Sequence, residues 1–318
     1  MRQSFLSIIG VLYAPGHVEQ LPRWLVGLHA ELSAHFSDFE FILINNRCDR
    51  RAIDAAVEPL PPELRQHVFL LNLSASVNRD NAILAGLDRA NGDYAVVFEW
   101  SFSDSPHLVR TLWEKAQQGF DIVYLRAPER RLPLHYHLLY RLFYGILHRY
   151  SNLRIDAHAH HTRIISRRAL NSLLRLRENS QYIKALYALV GYNTTAIDVP
   201  QPLTIEPGTS FGQQFRNALV VITSFTSFLN ALLGFIFLLS CLVAGLAVFN
   251  AVKVRLTNVD LFGHYYDTVP GWAYLVVLIS VFFAIICLNL YIMSVYLSNI
   301  YREVKNRPLY IIESIKRY

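Results

Sequence analysis

The sequence predicts an α/β domain over residues 1–208, carried by two membrane-spanning helices. Three observations predict it. Short apolar strands alternate with amphipathic helices through the first two thirds of the chain. Two apolar runs, Leu219–Phe249 and Gly271–Asn299, contain no charged residue, and about 20 such residues suffice for a helix to cross a bilayer. Basic residues, Arg302, Lys305, Arg307, Lys316 and Arg317, follow the second run.

The soluble elements follow in order. Phe5–Tyr13 has the apolar, β-branched character of a buried strand and ends in the turn Ala14-Pro15-Gly16. A helix through Trp24, Leu25, Leu28 and Leu32 comes next, then a strand over Phe39–Ile44, a helix over Asp49–Val57 and a break at Pro59, Pro61 and Pro62. His67–Asn72 reads as a third strand, Asn78–Ala90 as a helix, Tyr94–Phe98 as a fourth strand, Pro106–Gln118 as a helix and Asp121–Leu125 as a fifth strand. Strands separated by helices of this length imply parallel pairing with right-handed crossovers. Such a sheet binds ligands at the carboxyl ends of its strands, which here carry Tyr13, Asn45-Asn46 and Glu99-Trp100-Ser101.

Leu134–Tyr150 sets Leu138, Leu142, Ile146 and Tyr150 on one stripe with tyrosines and arginines between them. That pattern suits core packing and also a bilayer headgroup region. Arg126, Arg130 and Arg131 stand before it, either on a plain surface loop or as cations for a phosphate. Phe211–Phe228 mixes Gln213, Gln214, Arg216 and Asn217 with phenylalanines and reads as an interfacial segment, so residues 209–227 are assigned to an interfacial helix. Residues 228–250 and 271–299 are the two spans, 251–270 an external linker and 300–318 a basic tail.

A hydrophobic content of 53% and a mean hydropathy of +0.25 are high for a soluble protein and low for one wholly in the membrane. The net charge is +6. Five basic residues follow the second span, against Lys253 and Arg255 in the linker, which places the tail and the large domain in the cytoplasm of an inner or plasma membrane, as a multi-pass protein. The same distribution argues against nucleic acid as a partner, because the soluble part carries no basic stripe with stacking aromatics. Residues 1–13 hold one basic residue before a strand-like segment, unlike a signal peptide. Cys48 is alone in the soluble part, and Cys241 and Cys287 lie in the runs, against a disulfide framework or thiolate zinc site.

The stretch from Leu71 to Tyr124, LNLSASVNRDNAILAGLDRANGDYAVVFEWSFSDSPHLVRTLWEKAQQGFDIVY, resembles the family-2 glycosyltransferases that load a sugar onto dolichyl or undecaprenyl phosphate. The likeness lies in a serine-rich turn, an alanine-rich helix ending AGLD, an acidic strand end, an aspartate-proline turn and a G-F-D-I-V-Y strand. It continues through Thr162–Arg168, Tyr182–Leu186, Val190-Gly191-Tyr192, Ile222–Phe225 and Tyr301–Tyr310. The resemblance implies a GT-A-like, mostly parallel sheet, a nucleotide-sugar donor, polyprenyl phosphate as acceptor and Mg2+ or Mn2+ as cofactor. It also implies assembly as a homo-oligomer or with a partner membrane protein.

Transfer from a nucleotide diphosphate needs the leaving diphosphate neutralised, which hard-oxygen carboxylate sites do with a divalent ion. The family's paired aspartate reads Asn45-Asn46 here, and its aspartate-x-aspartate reads Glu99-Trp100-Ser101. Glu99 is left as the carboxylate at the metal position, with Asp104 nearby in sequence. The family's glycine-aspartate-phenylalanine-arginine stretch appears as His160-His161-Thr162-Arg163, which keeps Arg163 as a phosphate ligand. In the cluster His158-Ala159-His160-His161, His161 could join Glu99 on a metal, or the histidines could line a solvated loop or pocket. The arginines that the family uses before its first span are replaced by Val199–Pro207, which has no basic residue. Two functions follow: an enzyme with a divergent site, in which Glu99, Asp104 and Arg163 are catalytic and Tyr13, Asn45, Asn46 and Ser101 bind donor, or a silent glycosyltransferase fold that scaffolds a partner or lipid.

Overall fold

The structure is a computed structural model that describes residues 2–128, 134–151, 155–176, 182–203, 226–259, 272–305 and 308–318, with isolated positions between 212 and 265. Its centre is a sheet in which β1 (Arg2–Leu12) is flanked in parallel by β2 (Phe36–Asn45) and β4 (Tyr94–Val97). β3 (Val68–Leu73) extends the sheet in parallel beyond β2. These strands, with α1 (Pro15–His35), α2 (Arg50–Val57), α4 (Arg79–Arg89) and α5 (His107–Ala116), stand within a few residues of their expected places. A further turn of helix, α3 (Pro62–Arg65), follows the proline break.

The far side of the sheet holds the antiparallel pairs of an otherwise mostly parallel order. β5 (Ile122–Arg126) does not join β4, because β6 (Ala159–Ser166) inserts between them and pairs antiparallel with both. β7 (Thr194–Asp198) then adds in parallel to β5. With β8 (Ile312–Arg317) at its far edge, the sheet is therefore mixed, in the order β7-β5-β6-β4-β1-β2-β3-β8.

β8 (Ile312–Arg317) is the largest departure from the sequence reading, since the basic tail returns to the domain and pairs antiparallel with β3. Side chains fix it there. Lys316 donates to Asp54 at 2.6 Å, the Tyr318 hydroxyl donates to the same carboxylate, and Asn72 donates to Ser314 at 3.0 Å. Upstream, Tyr310 donates to Asp88 and Asn81 donates to the Leu309 carbonyl.

Both faces of the sheet are covered. On one, Trp24, Leu25 and Leu28 of α1 and Leu112 of α5 pack on Leu6, Ile8, Phe41 and Phe98. On the other, Ala82, Ile83 and Ala85 of α4 pack on Ile9, Val11, Ile42 and Ile44, joined by Leu170 of α7 (Arg167–Arg175) and Leu186 of α8 (Ile183–Leu189). Gly86 brings α4 against the sheet, because a Cβ there would lie 2.5 Å from Ile9 and 2.6 Å from Ile44. The close approach fixes where the first turn of α4 stands at the strand ends.

α6 (Leu134–Tyr150) forms at its expected residues, and Phe143, Tyr144 and Leu147 pack with Ile155, Ala185, Val221 and Ile222 in a smaller core. The packed face is thus offset from the expected stripe, of which Ile146 is partly buried and Leu142 and Tyr150 are exposed. Two long helices follow, Phe228–Thr257 and Trp272–Lys305. Among the described residues one stretch, Val281–Ser298 in the second, is long and apolar enough to cross a membrane; the apolar stretch Ala231–Val243 in the first is shorter. Phe235, Phe237, Leu238, Phe283 and Leu297 are each more than half exposed on these helices. Most of the interfacial segment 209–227 lies outside the described residues.

Candidate active site

The carboxyl ends of β1, β2 and β4 converge. β2 and β4 flank β1, so Asn45-Asn46 and Glu99 leave the sheet on either side of Leu12-Tyr13. The Asn46 backbone N–H donates to the Leu12 carbonyl at 2.9 Å, and the Trp100 indole donates to the Val11 carbonyl at 2.7 Å. Asn46 then bridges to the loop before α4: its amide nitrogen donates to the Val77 carbonyl, and its oxygen accepts from the Val77 N–H at 2.9 Å. Asn78 caps α4 by accepting from the Asn81 N–H. Two residues after Val77, Arg79 donates to the Glu99 carboxylate at 2.5 Å.

Glu99 is held from two directions. Its other oxygen accepts from the Thr162 backbone N–H at 2.9 Å and from the Thr162 hydroxyl at 3.3 Å. Burial would raise its pKa, but Arg79, His160, the Thr162 N–H and Lys184 outweigh burial and hold it at about 2. Arg79 also lies over the Tyr13 ring at 5.4 Å. Tyr13 in turn meets His17 edge-on, and His17 stacks on Trp100. Burial and the neighbouring Arg79 lower the His17 pKa to about 4, so this aromatic wall is uncharged at neutral pH.

Behind this wall β6 and α8 add more charge. Arg163 is buried, donates to the His160 carbonyl at 2.8 Å and lies 4.0 Å over the Tyr187 ring. Lys184, also buried, donates to the Ala159 carbonyl. His161 stands 3.6 Å from Asp80, which accepts from the Ile183 N–H at 3.0 Å. Burial, followed by Arg79, Lys184 and Arg163, holds His161 well below its ordinary pKa; burial likewise lowers His160 despite the nearby Glu99. Three cations, Arg79, Arg163 and Lys184, face two carboxylates, Asp80 and Glu99. The cluster carries a net positive charge.

The sequence-selected residues divide accordingly. Tyr13, Asn45, Asn46, Glu99, His161 and Arg163 are brought to this end of the sheet. Ser101 is exposed on the short turn Trp100–Phe102. Asp104 lies apart, exposed and ion-paired with Arg23 of α1 at 2.9 Å, and makes no cap for α5. Arg126 forms a two-pronged pair with Asp198 on β7 at 2.6 and 3.0 Å. Arg130 and Arg131 lie outside the described residues. Sequence reasoning passed over Arg79 and Lys184. The signals were an arginine opening the AGLD helix and a lysine inside the otherwise apolar run Ile183–Leu189.

The oxygen donors at the strand ends, Glu99, Asn45 and Asn46, do not fit a divalent cation. Glu99 is committed to Arg79 and Thr162, the Asn46 oxygen to Val77, and the Asn45 oxygen to the Cys48 N–H at 2.6 Å. His161 Nδ1 is buried without a hydrogen-bond partner, but three cations surround it.

No family model matches the chain. It is similar to curated proteins named as glycosyltransferases. It is 26% identical to an uncharacterized glycosyltransferase of Synechocystis over 87% of this chain and 85% of that protein. To the prophage bactoprenol glucosyl transferase homolog of Escherichia coli it is 27% identical, over 79% of this chain and 80% of that one. Among solved structures, the Mycobacterium tuberculosis glucosyl-3-phosphoglycerate synthase complex with Mg2+ and uridine diphosphate overlaps 69% of this chain and 77% of its own, at 12% identity and a TM-score of 0.42. The likeness to glycosyltransferases read from the sequence therefore extends to bactoprenol glucosyl transferases by name.

Proposed function

We propose that this chain transfers a sugar from a nucleotide-sugar donor to polyprenyl phosphate at the cytoplasmic face of a membrane. The observation that carries this reading is the similarity to bactoprenol glucosyl transferases over most of both chains. The charge of the strand-end cluster agrees with it, because three cations facing two carboxylates favour a diphosphate ligand.

In the reaction, an oxygen of the acceptor phosphate attacks the anomeric carbon as the bond from that carbon to the diphosphate oxygen breaks. The electron pair leaves with the nucleoside diphosphate. A phosphate monoester is ionised at pH 7, so its attack needs no strong general base, and the chain's main task is to stabilise the leaving diphosphate. Arg79 stands at the crevice and Glu99 orients it; Arg163 and Lys184, both buried, act through their field. Tyr13 and the His17–Trp100 stack supply an aromatic wall for the nucleoside.

The tail strand supports the membrane arrangement. β8 follows the second long helix yet pairs with β3, so the domain and the tail occupy one side of any membrane between them. The chain between them then crosses an even number of times, with residues 251–270 on the opposite side. The exposed apolar side chains on both long helices suit lipid contact. Calorimetry of the purified full chain against a panel of nucleotide sugars tests the donor: heat from one of them at micromolar to millimolar concentration is expected. Silence across the panel leaves the fold with a scaffolding role.

A further inference from the structure

We propose that this chain binds the diphosphate of its ligand without a divalent cation, and that the Arg79 guanidinium, braced by Glu99, supplies the charge the ion would have brought. The inference takes the ligand's identity from the nucleotide-sugar reading, and it concerns how the anion is held.

The carboxylate is the first ground. A metal ligand at a strand end must turn a lone pair toward the ion, whereas both Glu99 oxygens are turned to protein: one to Arg79, the other to the Thr162 N–H and hydroxyl. The amides beside it are spent on the Val77 and Cys48 backbone. Charge is the second ground. Arg79, Arg163 and Lys184 outnumber Asp80 and Glu99 within one mutually interacting cluster. A dication entering that field is repelled and a diphosphate is attracted.

Position is the third ground. Arg79 is the first residue of α4, an eleven-residue helix whose N-terminal turn adds the favourable end of its dipole for an anion. Its guanidinium lies 5.4 Å over the ring of Tyr13, the residue after β1, while Glu99 after β4 holds it by the ion pair. A guanidinium presents a planar fork that matches phosphate oxygens, which a lysine ammonium does not. Gly86 fixes the helix that carries it. Glu99 is thus a positioning residue for Arg79, and Arg79 is the group that meets the ligand.

The test is equilibrium binding of inorganic pyrophosphate and of UDP, GDP, ADP and CDP to the full chain in lipid nanodiscs, in excess EDTA or in manganese. The affinity for pyrophosphate and for the preferred nucleotide is expected to agree within about twofold between the two conditions. Arg79→Gln should weaken binding about tenfold or more in both. Arg79→Lys, which keeps the charge, should lose less, and it retains the test if Arg79→Gln fails to fold. Glu99→Gln keeps an oxygen that accepts from Arg79 and removes a negative charge, so it should bind at least as tightly as the parent.

Binding that requires manganese, or that a folded Glu99→Gln loses, overturns the inference and leaves the nucleotide-sugar reading standing. EDTA-insensitive, Arg79-dependent pyrophosphate binding with no response to any nucleotide keeps the inference and removes the nucleotide reading. Absence of binding by every probe in both conditions overturns both.

Discussion

Replacing Glu99 by Gln should destabilise the domain by about 3 kcal/mol at pH 7, and the size of the loss follows from its surroundings. The carboxyl group is held at about 2 against an ordinary value of 4.5, with side-chain exposures of only 10% for Glu99 and 16% for Arg79. Each unit of lowering corresponds to about 1.4 kcal/mol. Because the folded-state pKa lies below the unfolded one, this stability is fully present above pH 4.5 and is lost as pH falls through about 2. The substitution leaves the half-buried Arg79 without its carboxylate, a kind of loss that costs about 3–5 kcal/mol where the pair is fully buried. Guanidinium unfolding of the full chain, followed by fluorescence of Trp24, Trp100 and Trp113, reads the effect. The gap between parent and variant should shrink to about half by pH 3. Equal midpoints at pH 7, or a gap that does not narrow toward pH 3, would refute the assignment of Glu99 to the Arg79 pair.

Other perturbations reach different parts of the account. Gly86→Val drives side-chain atoms into Ile9 and Ile44, so a loss of about 1–3 kcal/mol in the same unfolding assay is expected, together with weaker pyrophosphate binding as α4 and Arg79 shift. Truncation after Tyr310 removes β8 and bares the edge of β3; a lower unfolding midpoint and concentration-dependent association by light scattering should follow, and a truncated chain as stable as the parent would mean that β8 does not hold the edge. Cysteine placed at position 260 of a chain free of other cysteines should react with an impermeant reagent in intact cells, whereas cysteine at 310 should not. Labelling of position 310 alone would reverse the orientation.

The central strands and their helices were legible in the sequence because apolar runs and turn residues mark them locally. The edges were not. β6 carries His160, His161 and Arg163 inside the sheet, a composition that reads as loop, and its insertion between β4 and β5 depends on contacts far apart in sequence. β8 was hidden in a charged tail whose lysine and tyrosine look solvent-directed until Asp54 is seen beside them. At the site, the place of Asn45 and Asn46 at a strand end was legible, and the hydrogen bonds by which both amides tie loops to the sheet were not. Glu99 reads in the sequence as the carboxylate at the metal position, whereas its partner Arg79 lies twenty residues away and becomes visible only when α4 is docked. Asp104, close to Glu99 in sequence, is turned away to Arg23.

The most direct measurement is transfer itself: the purified full chain in nanodiscs containing undecaprenyl phosphate, incubated with a panel of nucleotide sugars in excess EDTA, with the lipid fraction read by mass spectrometry. The account predicts a glycosylated polyprenyl phosphate from one donor, formed at a rate that manganese does not raise more than about twofold and that Arg79→Gln lowers about tenfold or more. A lipid product that appears only with manganese would contradict the cation-free site, and the absence of product from every donor under both conditions would contradict the assignment as a sugar transferase.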